Sequence, residues 1–310
     1  MPRHFNPLDA AGIHLDNRRG TGRSQAAAEA TVTQRITPMR RHLLPLVAVV
    51  MLFLAVITSP AMADDAESFL CPMRGQPCAE VEFAAAGRCP DCGMRLVPAA
   101  EYAVLTANMK TVGVVLYTAF EALDVYGPVE MWGSVQDLRI VTIAEKAGPI
   151  TSAQGTQTVA RHTFEDCPKL DILLVPGGMG TLKELTNEKM LAFLREQSAK
   201  TELVTSVCSG SMLLAKAGVL DGHKATSNKK YFDMAISQSD KVDWIQKARW
   251  VEDGKFVTSS GVSAGIDMAL HVIRRLYGEA EARKIAGWSE YTWNDDPDND
   301  PFAKPEANKN

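Results

Sequence analysis

The chain has 310 residues, 46% of them hydrophobic, and a formal net charge of −4. That length is enough to bury a sizeable core and to hold two domains. A near-neutral, mildly acidic balance excludes the basic face that a nucleic-acid binder needs.

Residues 1–38 are polar and rich in Arg, Ala and Thr, and read as a non-native extension ahead of a true start at Met39. The stretch "MRRHLLPLVAVVMLFLAVITSPAMADD" then carries two arginines, an apolar run from Leu43 to Thr58, and Ala61-Met62-Ala63. A basic start, a short apolar core and an A-x-A site predict a secretory signal peptide over 39–63. The run is short for a spanning helix. The expectation is therefore export to the periplasm, an oxidising compartment. An uncleaved inner-membrane anchor facing the periplasm is the alternative.

Residues 68–98, "SFLCPMRGQPCAEVEFAAAGRCPDCGMRLVP", are too few to bury a core and need a metal or disulfide staple. Cys71, Met73, Cys89, Cys92 and Met94 are soft sulfur donors. Thiolates with thioethers suit Cu(I), whereas four cysteines suit Zn(II). Cys78 stands outside this set as an extra thiol. The competing arrangement is a pair of disulfides, Cys71 to Cys78 and Cys89 to Cys92. "AAEYAVLTANMK" reads as a linker.

From Thr111 onward strands alternate with helices. "TVGVVLY" is a buried strand, followed by a helix around Leu123–Val135 and the strand "DLRIVTIAE". "DILLVPGG" is a strand ending at a glycine pair, and "TLKELTNEKMLAFLREQSAK" is one amphipathic helix. "TELVTSV" is the next strand, with a helix over Ser209–Ala217 stopped by Gly218. "KATSN" reads as a short strand, and "ARWVEDGKFVTSSG" as two strands about an Asp-Gly turn. A last helix runs from a Ser263 cap to Gly278. This alternation predicts an α/β doubly wound sandwich with a mostly parallel sheet. The acidic, Pro-rich end of the chain, over 289–310, is expected to be disordered.

Cys208 lies where the strand "TELVTSV" stops and a helix begins, at the carboxyl edge where open α/β sheets gather reactive groups. A helix N-terminus favours a thiolate there. The position is that of a strand–turn–helix elbow presenting a nucleophile. A small buried hydrophobe is the plainer reading. The backbone N–H groups of Gly178 and Ser209 are candidate oxyanion donors. Asp124, after the first strand, is the candidate proton shuttle, and nearby Glu121 reads as a solvated acid. Cys167 reads as a structural thiol.

The segments "VVLYTAFEALDVYGPVEMWG", "DILLVPGGMGT", "VCSGSMLLAKAGVLDGHKAT" and "VTSSGVSAGIDMALHVIRRLYG" resemble the DJ-1/PfpI family of the class I glutamine-amidotransferase-like superfamily. The likeness spans 111–288 and lies nearest the isonitrile hydratase-like branch and the sensing halves of some AraC-type regulators. It implies a flavodoxin-like sandwich, a homodimer, Cys208 at the elbow and Asp124 as the acid facing the thiol. Ser209 takes a place that is threonine in isonitrile hydratases. Many relatives carry a histidine where this chain has Ser209 or Asn228, and His162, His223 and His271 show no pattern of a base. The 68–98 segment resembles a heavy-metal-binding module of copper and silver efflux proteins, with Arg74 in place of the family's histidine.

The expected function is thus an exported, cysteine-dependent hydratase or hydrolase acting on a small electrophilic substrate, with an attached soft-metal module and no cofactor needed for catalysis. A periplasmic metal, redox or ligand-sensing protein without enzymatic activity is the alternative. A peptidase or deglycase comes third.

Overall fold

A computed structural model describes residues 67–73 and 77–303. The extension over 1–38, the leader over 39–63, Arg74 and residues 304–310 lie outside the described residues. Among the described residues no helix is long and apolar enough to cross a membrane.

The N-terminal module is built from β1 (Phe69–Leu70) and β2 (Val97–Pro98), which pair antiparallel, followed by α1 (Ala99–Thr106). Its core holds Cys71, Cys78, Cys89 and Leu96, with Phe69 and Phe83 packed against them. So small an apolar cluster cannot offset the ordering of some thirty residues by itself. The expected linker at 99–110 is mostly helix. Ala, Glu and Leu favour helix, no Gly or Pro interrupts Ala99–Thr106, and Pro98 stands just before its first turn.

The large domain continues with β3 (Lys110–Val115), α2 (Ala122–Gly133), β4 (Leu138–Ala144), β5 (Gly148–Thr151), β6 (Gln157–Ala160), β7 (His162–Thr163) and β8 (Ile172–Val175). Then come α3 (Thr181–Glu184), α4 (Glu188–Lys200), β9 (Leu203–Ser206), α5 (Gly210–Lys216), β10 (Lys224–Ala225), α6 (Phe232–Ile236) and β11 (Asp243–Trp244). The chain closes with β12 (Trp250–Asp253), β13 (Phe256–Ser259), α7 (Ala264–Tyr277) and α8 (Glu279–Trp288). A seven-stranded sheet runs in the order β12-β13-β9-β8-β3-β4-β7, with all neighbours parallel except the edge hairpin β12–β13. This is the mostly parallel flavodoxin-like arrangement expected. The central strands β8, β9 and β13 are buried along their whole length. That explains the continuous β-branched and leucine run of β8 and the lack of charged residues in β9 and β13, since both faces are covered by helices. One helical group contains α2, α7 and α8, and another gathers α3, α4 and α6 about α5.

Several elements differ from expectation. The single helix over 181–200 is two, α3 and α4, because the Asn187 side chain accepts the Lys189 and Met190 amides and caps α4 afresh. The "KATSN" strand shrinks to β10, which pairs with β11 away from the main sheet. The β5–β6 hairpin has no counterpart in the sequence reading; its polar, Gly-bounded strands carry little burial pattern. The tail expected to be disordered docks instead over Tyr291–Phe302. The Trp293 indole donates to the Asp267 carbonyl at 3.1 Å, the Asn294 amide to Asp267 Oδ1 at 3.0 Å, and the Asp300 side chain is buried. Composition pointed to disorder, but two aromatics packed on the core, Tyr291 and Trp293, and one buried acid, Asp300, suffice to seat this stretch.

Gly210 opens α5 so close to β8 that a Cβ there would sit 2.0 Å from the Val175 carbonyl oxygen. Backbone cannot yield as a flexible side chain does. Gly210→Ala is therefore expected to lower stability by about 1–3 kcal/mol, read as a lower urea midpoint with an unchanged slope.

Candidate functional site

Four chain segments converge at the carboxyl edge of β3, β8, β9 and β13. Cys208 follows β9 by two residues and adopts φ +57°, a left-handed conformation that is rare outside glycine. The Val207 amide donates to the Val175 carbonyl and the Cys208 amide to the Ser260 carbonyl at 3.0 Å, so the elbow is held from two neighbouring strands. Gly177 permits the close approach of the β8 loop: a Cβ there would lie 2.5 Å from the Ser209 nitrogen and 2.9 Å from Cys208 Cβ.

Asp124 sits in the first turn of α2 and is fully buried. Its Oδ2 accepts the Gly177 amide at 2.8 Å, while Oδ1 has no hydrogen-bond partner among the described residues. Burial pushes its carboxyl up to about 8, with the Gly177 amide pulling down, Glu121 pushing up and the Cys208 thiol pulling down. At neutral pH Asp124 is therefore mostly protonated. Glu121 lies at the mouth, its Oε1 accepting from Gln154 Nε2 at 2.7 Å.

The Cys208 side chain is 6% exposed. Burial, then the Asp124 charge, push its thiol up to about 12; the Ser209 amide, the Asn228 side chain and the Val262 amide pull the other way. The expectation that the helix start would favour a resting thiolate is thus corrected. Desolvation and a like charge outweigh three hydrogen-bond donors and the partial charge of a seven-residue helix.

Asn228 is the residue that sequence reasoning passed over. Its Nδ2 donates to Cys208 Sγ at 3.1 Å. Its Oδ1 accepts the Lys230 and Tyr231 amides at 2.9 and 3.3 Å, which leaves the NH2 group facing the sulfur. The signal was present: the family resemblance implies a histidine at this place in many relatives, and Asn228 stands there instead. Val262 was missed as well. A β-branched residue at φ +46° is an outlier, and its amide acts on the sulfur.

Gly178, at φ +135°, does not offer a free amide. Its N–H donates to Ser209 Oγ at 3.1 Å. Proton counting orders the chain beyond it. The buried Tyr117 hydroxyl gives its one proton to the Pro176 carbonyl at 2.7 Å, so Thr181 Oγ1 must donate to Tyr117 at 3.0 Å. Ser209 Oγ must then donate to Thr181 at 2.9 Å. Of the two expected backbone donors, only the Ser209 amide acts on the sulfur.

The site opens into a cavity of about 200 Å³ lined by Met179, Leu182, Met212, Tyr231, Met234 and Val262, with Glu121, Thr181, Cys208, Ser209 and Asn228 among its polar members. No histidine is among its lining residues. His271 pairs with Glu252 and packs on Trp250, His223 lies 3.2 Å from Asp253, and His162 is on β7.

In the module, the Sγ atoms of Cys71, Cys78, Cys89 and Cys92 all lie within 4.8 Å of one another. Cys71 and Cys92 are 3.3 Å apart, and Cys78 is 3.6 Å from Cys71. All four are free thiols. Tetrahedral thiolates around Zn(II) at about 2.3 Å stand about 3.8 Å apart, so this donor set fits such an ion. Cys78 is therefore a member of the cluster and not an extra. Met73 and Met94, expected as ligands, are 37% and 42% exposed, whereas three of the four cysteines are buried. Gly93, at φ +74°, turns the chain behind Cys92, and its amide returns to the Cys89 carbonyl at 2.9 Å.

Comparison with known proteins accords with both halves. Residues 110–275 match the DJ-1/PfpI family, and residues 69–99 match the heavy metal binding domain. An isonitrile hydratase of Pseudomonas putida is 37% identical over 185 residues, covering 58% of this chain and 78% of that protein. The HTH-type transcriptional regulator GbdR of Pseudomonas aeruginosa is 27% identical, with this chain spanning 50% of its length. A crystal structure of a ThiJ/PfpI family protein from Pseudomonas syringae superposes with a TM-score of 0.56 at 33% identity, covering 64% of this chain and 78% of that one.

Because Asp124 holds its proton to about pH 8 when folded and to 3.8 in its ordinary state, the folded chain binds the extra proton between those values. Stability from this group is fully present below pH 3.8 and is lost as pH rises through about 8. Asp124→Asn removes that dependence. Its melting temperature relative to the native chain is expected to climb from pH 4 to about pH 8 and to level off beyond.

Proposed function

The chain belongs to the DJ-1/PfpI family, and on that footing we propose that it is a cysteine-dependent hydratase for small apolar electrophiles of the isonitrile class. The observation that carries this reading is Cys208 at the base of an apolar cavity that no histidine lines, with the buried Asp124 carboxyl, one oxygen unpartnered, acting on its sulfur from behind the cavity wall.

Both groups begin neutral. The isonitrile carbon lies against the sulfur, and an S–C bond forms. Asp124 gives its proton to that carbon and takes the proton of the thiol, so the carboxyl group ends neutral and the substrate becomes a thioformimidate. The Ser209 amide, the Asn228 side chain and the Val262 amide stabilise the charge on sulfur during the transfer. Water then adds across the C=N bond: oxygen bonds to carbon and nitrogen gains a proton, again through Asp124. Collapse breaks the C–S bond, returns a proton to the sulfur and releases an N-substituted formamide. Isonitrile and one water are consumed, with no oxidant or reductant. The apolar walls favour an alkyl or aryl substituent, and the small volume favours a short one.

A non-catalytic, ligand-binding reading draws support from one specific point. The resting thiol is protonated and tied by three donors, as suits a pocket that holds a small molecule without attacking it. A peptidase or deglycase reading lacks support from any histidine at the sulfur.

For the module we propose Zn(II), held by Cys71, Cys78, Cys89 and Cys92, as a structural staple. When bound, the ion supplies charge that keeps all four thiols deprotonated and folding energy that the small core lacks. Export through the leader at 39–63 and a homodimeric state belong to the same proposal. They rest on the sequence pattern and on the family likeness respectively.

Cys208→Ala is expected to abolish hydration of a short-chain isonitrile, and unchanged turnover would sink the assignment. Asp124→Asn should reduce kcat by roughly 10²–10⁴-fold, and the native rate should fall as pH rises through about 8. Purified chain should carry one zinc ion; Cys78→Ser should lose it on mild chelation while retaining hydratase activity. Metal-free protein with paired disulfides by mass spectrometry would overturn the metal reading.

A further inference from the structure

Two of the three groups that act on the Cys208 sulfur, the Asn228 side chain and the Val262 amide, stand next to residues clamped by one buried ionic cluster. Lys229 follows Asn228. Its Nζ donates to Thr226 Oγ1 at 2.7 Å and to the Ala248 carbonyl at 2.6 Å, and lies 3.7 Å from Asp300 Oδ2. Ser263 follows Val262, and its Oγ accepts from Arg249 Nη2 at 3.4 Å. Arg249 is also bound to Asp267 through Nη2 at 2.6 Å and Nε at 2.8 Å, with its Nη1 at 3.9 Å from Asp300 Oδ1.

The cluster thus holds two cations and two anions. One anion, Asp300, is supplied by the docked C-terminal strap. Its side chain is fully buried, and its Oδ2 has no hydrogen bond, so the Lys229 charge compensates that oxygen while Arg249 faces Oδ1. The strap is tied to the same strands, since the Arg249 amide donates to the Pro297 carbonyl and the Ser260 amide returns to the Arg249 carbonyl at 2.8 Å. Ser260 in turn accepts the Cys208 amide. Beside the sulfur donors lies a second cavity of about 280 Å³, lined by Asn228, Lys229, Val262, Ser263 and, from the strap, Phe302.

We propose that the strap over 291–302 is a positioning element of the Cys208 site: Asp300, by completing the buried cluster with Lys229, Arg249 and Asp267, holds the Asn228 and Val262 donors on the sulfur. The proposal rests on Cys208 being the reactive thiol, and it makes Asp300 a positioning residue that touches neither substrate nor sulfur. Removing the Asp300 charge leaves Lys229 buried beside Arg249 without its counter-ion. The Asn228–Lys229 turn must then shift to let the ammonium reach water. Burial already pulls Lys229 down to about 8, and Asp300 is the group that works against it. The charged or titratable groups around the sulfur itself, Asp124, Glu121 and Tyr117, are untouched by this change.

The test is the alkylation rate of Cys208 by iodoacetamide in the full chain, resolved by peptide mass spectrometry at a fixed pH of about 7, below the Lys229 value of about 8, so that the ammonium is charged. It needs no turnover, so it stands apart from the hydratase assignment, which Cys208→Ala tests. Asn228→Leu and Asp300→Asn are each expected to slow alkylation about tenfold, equivalent to about one pKa unit on the thiol. The double variant should be no slower than the slower single one, because both act through the same donor. Asp300→Asn alkylated at the native rate, or a double variant slowed by the product of the two effects, overturns the proposal. A lowered melting temperature alone indicates a purely structural strap. Should Asp300→Asn not fold, Lys229→Met with Asp300→Leu removes both charges together and leaves Arg249 paired with Asp267. Lys229→Met also removes the Nζ bonds to Thr226 and the Ala248 carbonyl that anchor the Asn228 turn, so the same slowing is expected there, and a native rate overturns the proposal equally.

Discussion

A carboxyl group and a thiol buried together, largely desolvated, set the terms for the whole edge of the sheet. In that environment ionising either group opposes ionising the other, and both rest neutral. The surrounding backbone answers this with donors. Gly177 serves Asp124, while Ser209, Val262 and Asn228 serve Cys208. None of them reverses the desolvation at rest, but each is aimed where charge grows when the sulfur gives up its proton. In the proposed reaction such preorganised donors would cost no reorganisation, which is why they would matter more there than in the resting state.

Holding these donors in place requires backbone that ordinary residues avoid. Ala119, Cys208 and Val262 all have positive φ, and all three belong to loops at the carboxyl edge of the sheet. Strain of this kind persists only where surrounding contacts over-determine it. Here those contacts are the Ala119 amide on the Thr151 carbonyl, the Cys208 amide on the Ser260 carbonyl, and the Gly180 amide on the Ala119 carbonyl. The β5–β6 hairpin, peripheral in the topology, is therefore part of the frame of the site. The docked strap belongs to that frame from the opposite side, through the buried pairing of Arg249 with Asp267.

The module solves a different problem by a different means. Its apolar residues are too few to fold it, and four sulfurs at near-tetrahedral spacing take the place of a core.

Local pattern made much of this molecule legible in one dimension. The apolar runs ending at Val115 and Val175 announce a sheet covered on both faces, because a strand buried on two sides has no polar alternation to show. The elbow at Cys208, the acid at Asp124 and the Cys-x-x-Cys turn were visible for the same reason: each is a short-range device whose residues are neighbours in sequence. What the chain could not reveal locally are the features made by distant residues meeting. Asn228 on the sulfur, Cys78 beside Cys71 and Cys92, Ser209 closing the Gly178 amide, and Asp300 under Lys229 all join segments that only packing brings together. The ionisation of Cys208 was decided there too. A helix start lowers a thiol's pKa by a local field that sequence can locate, but the larger, opposing term is desolvation, and burial is a property of the finished fold.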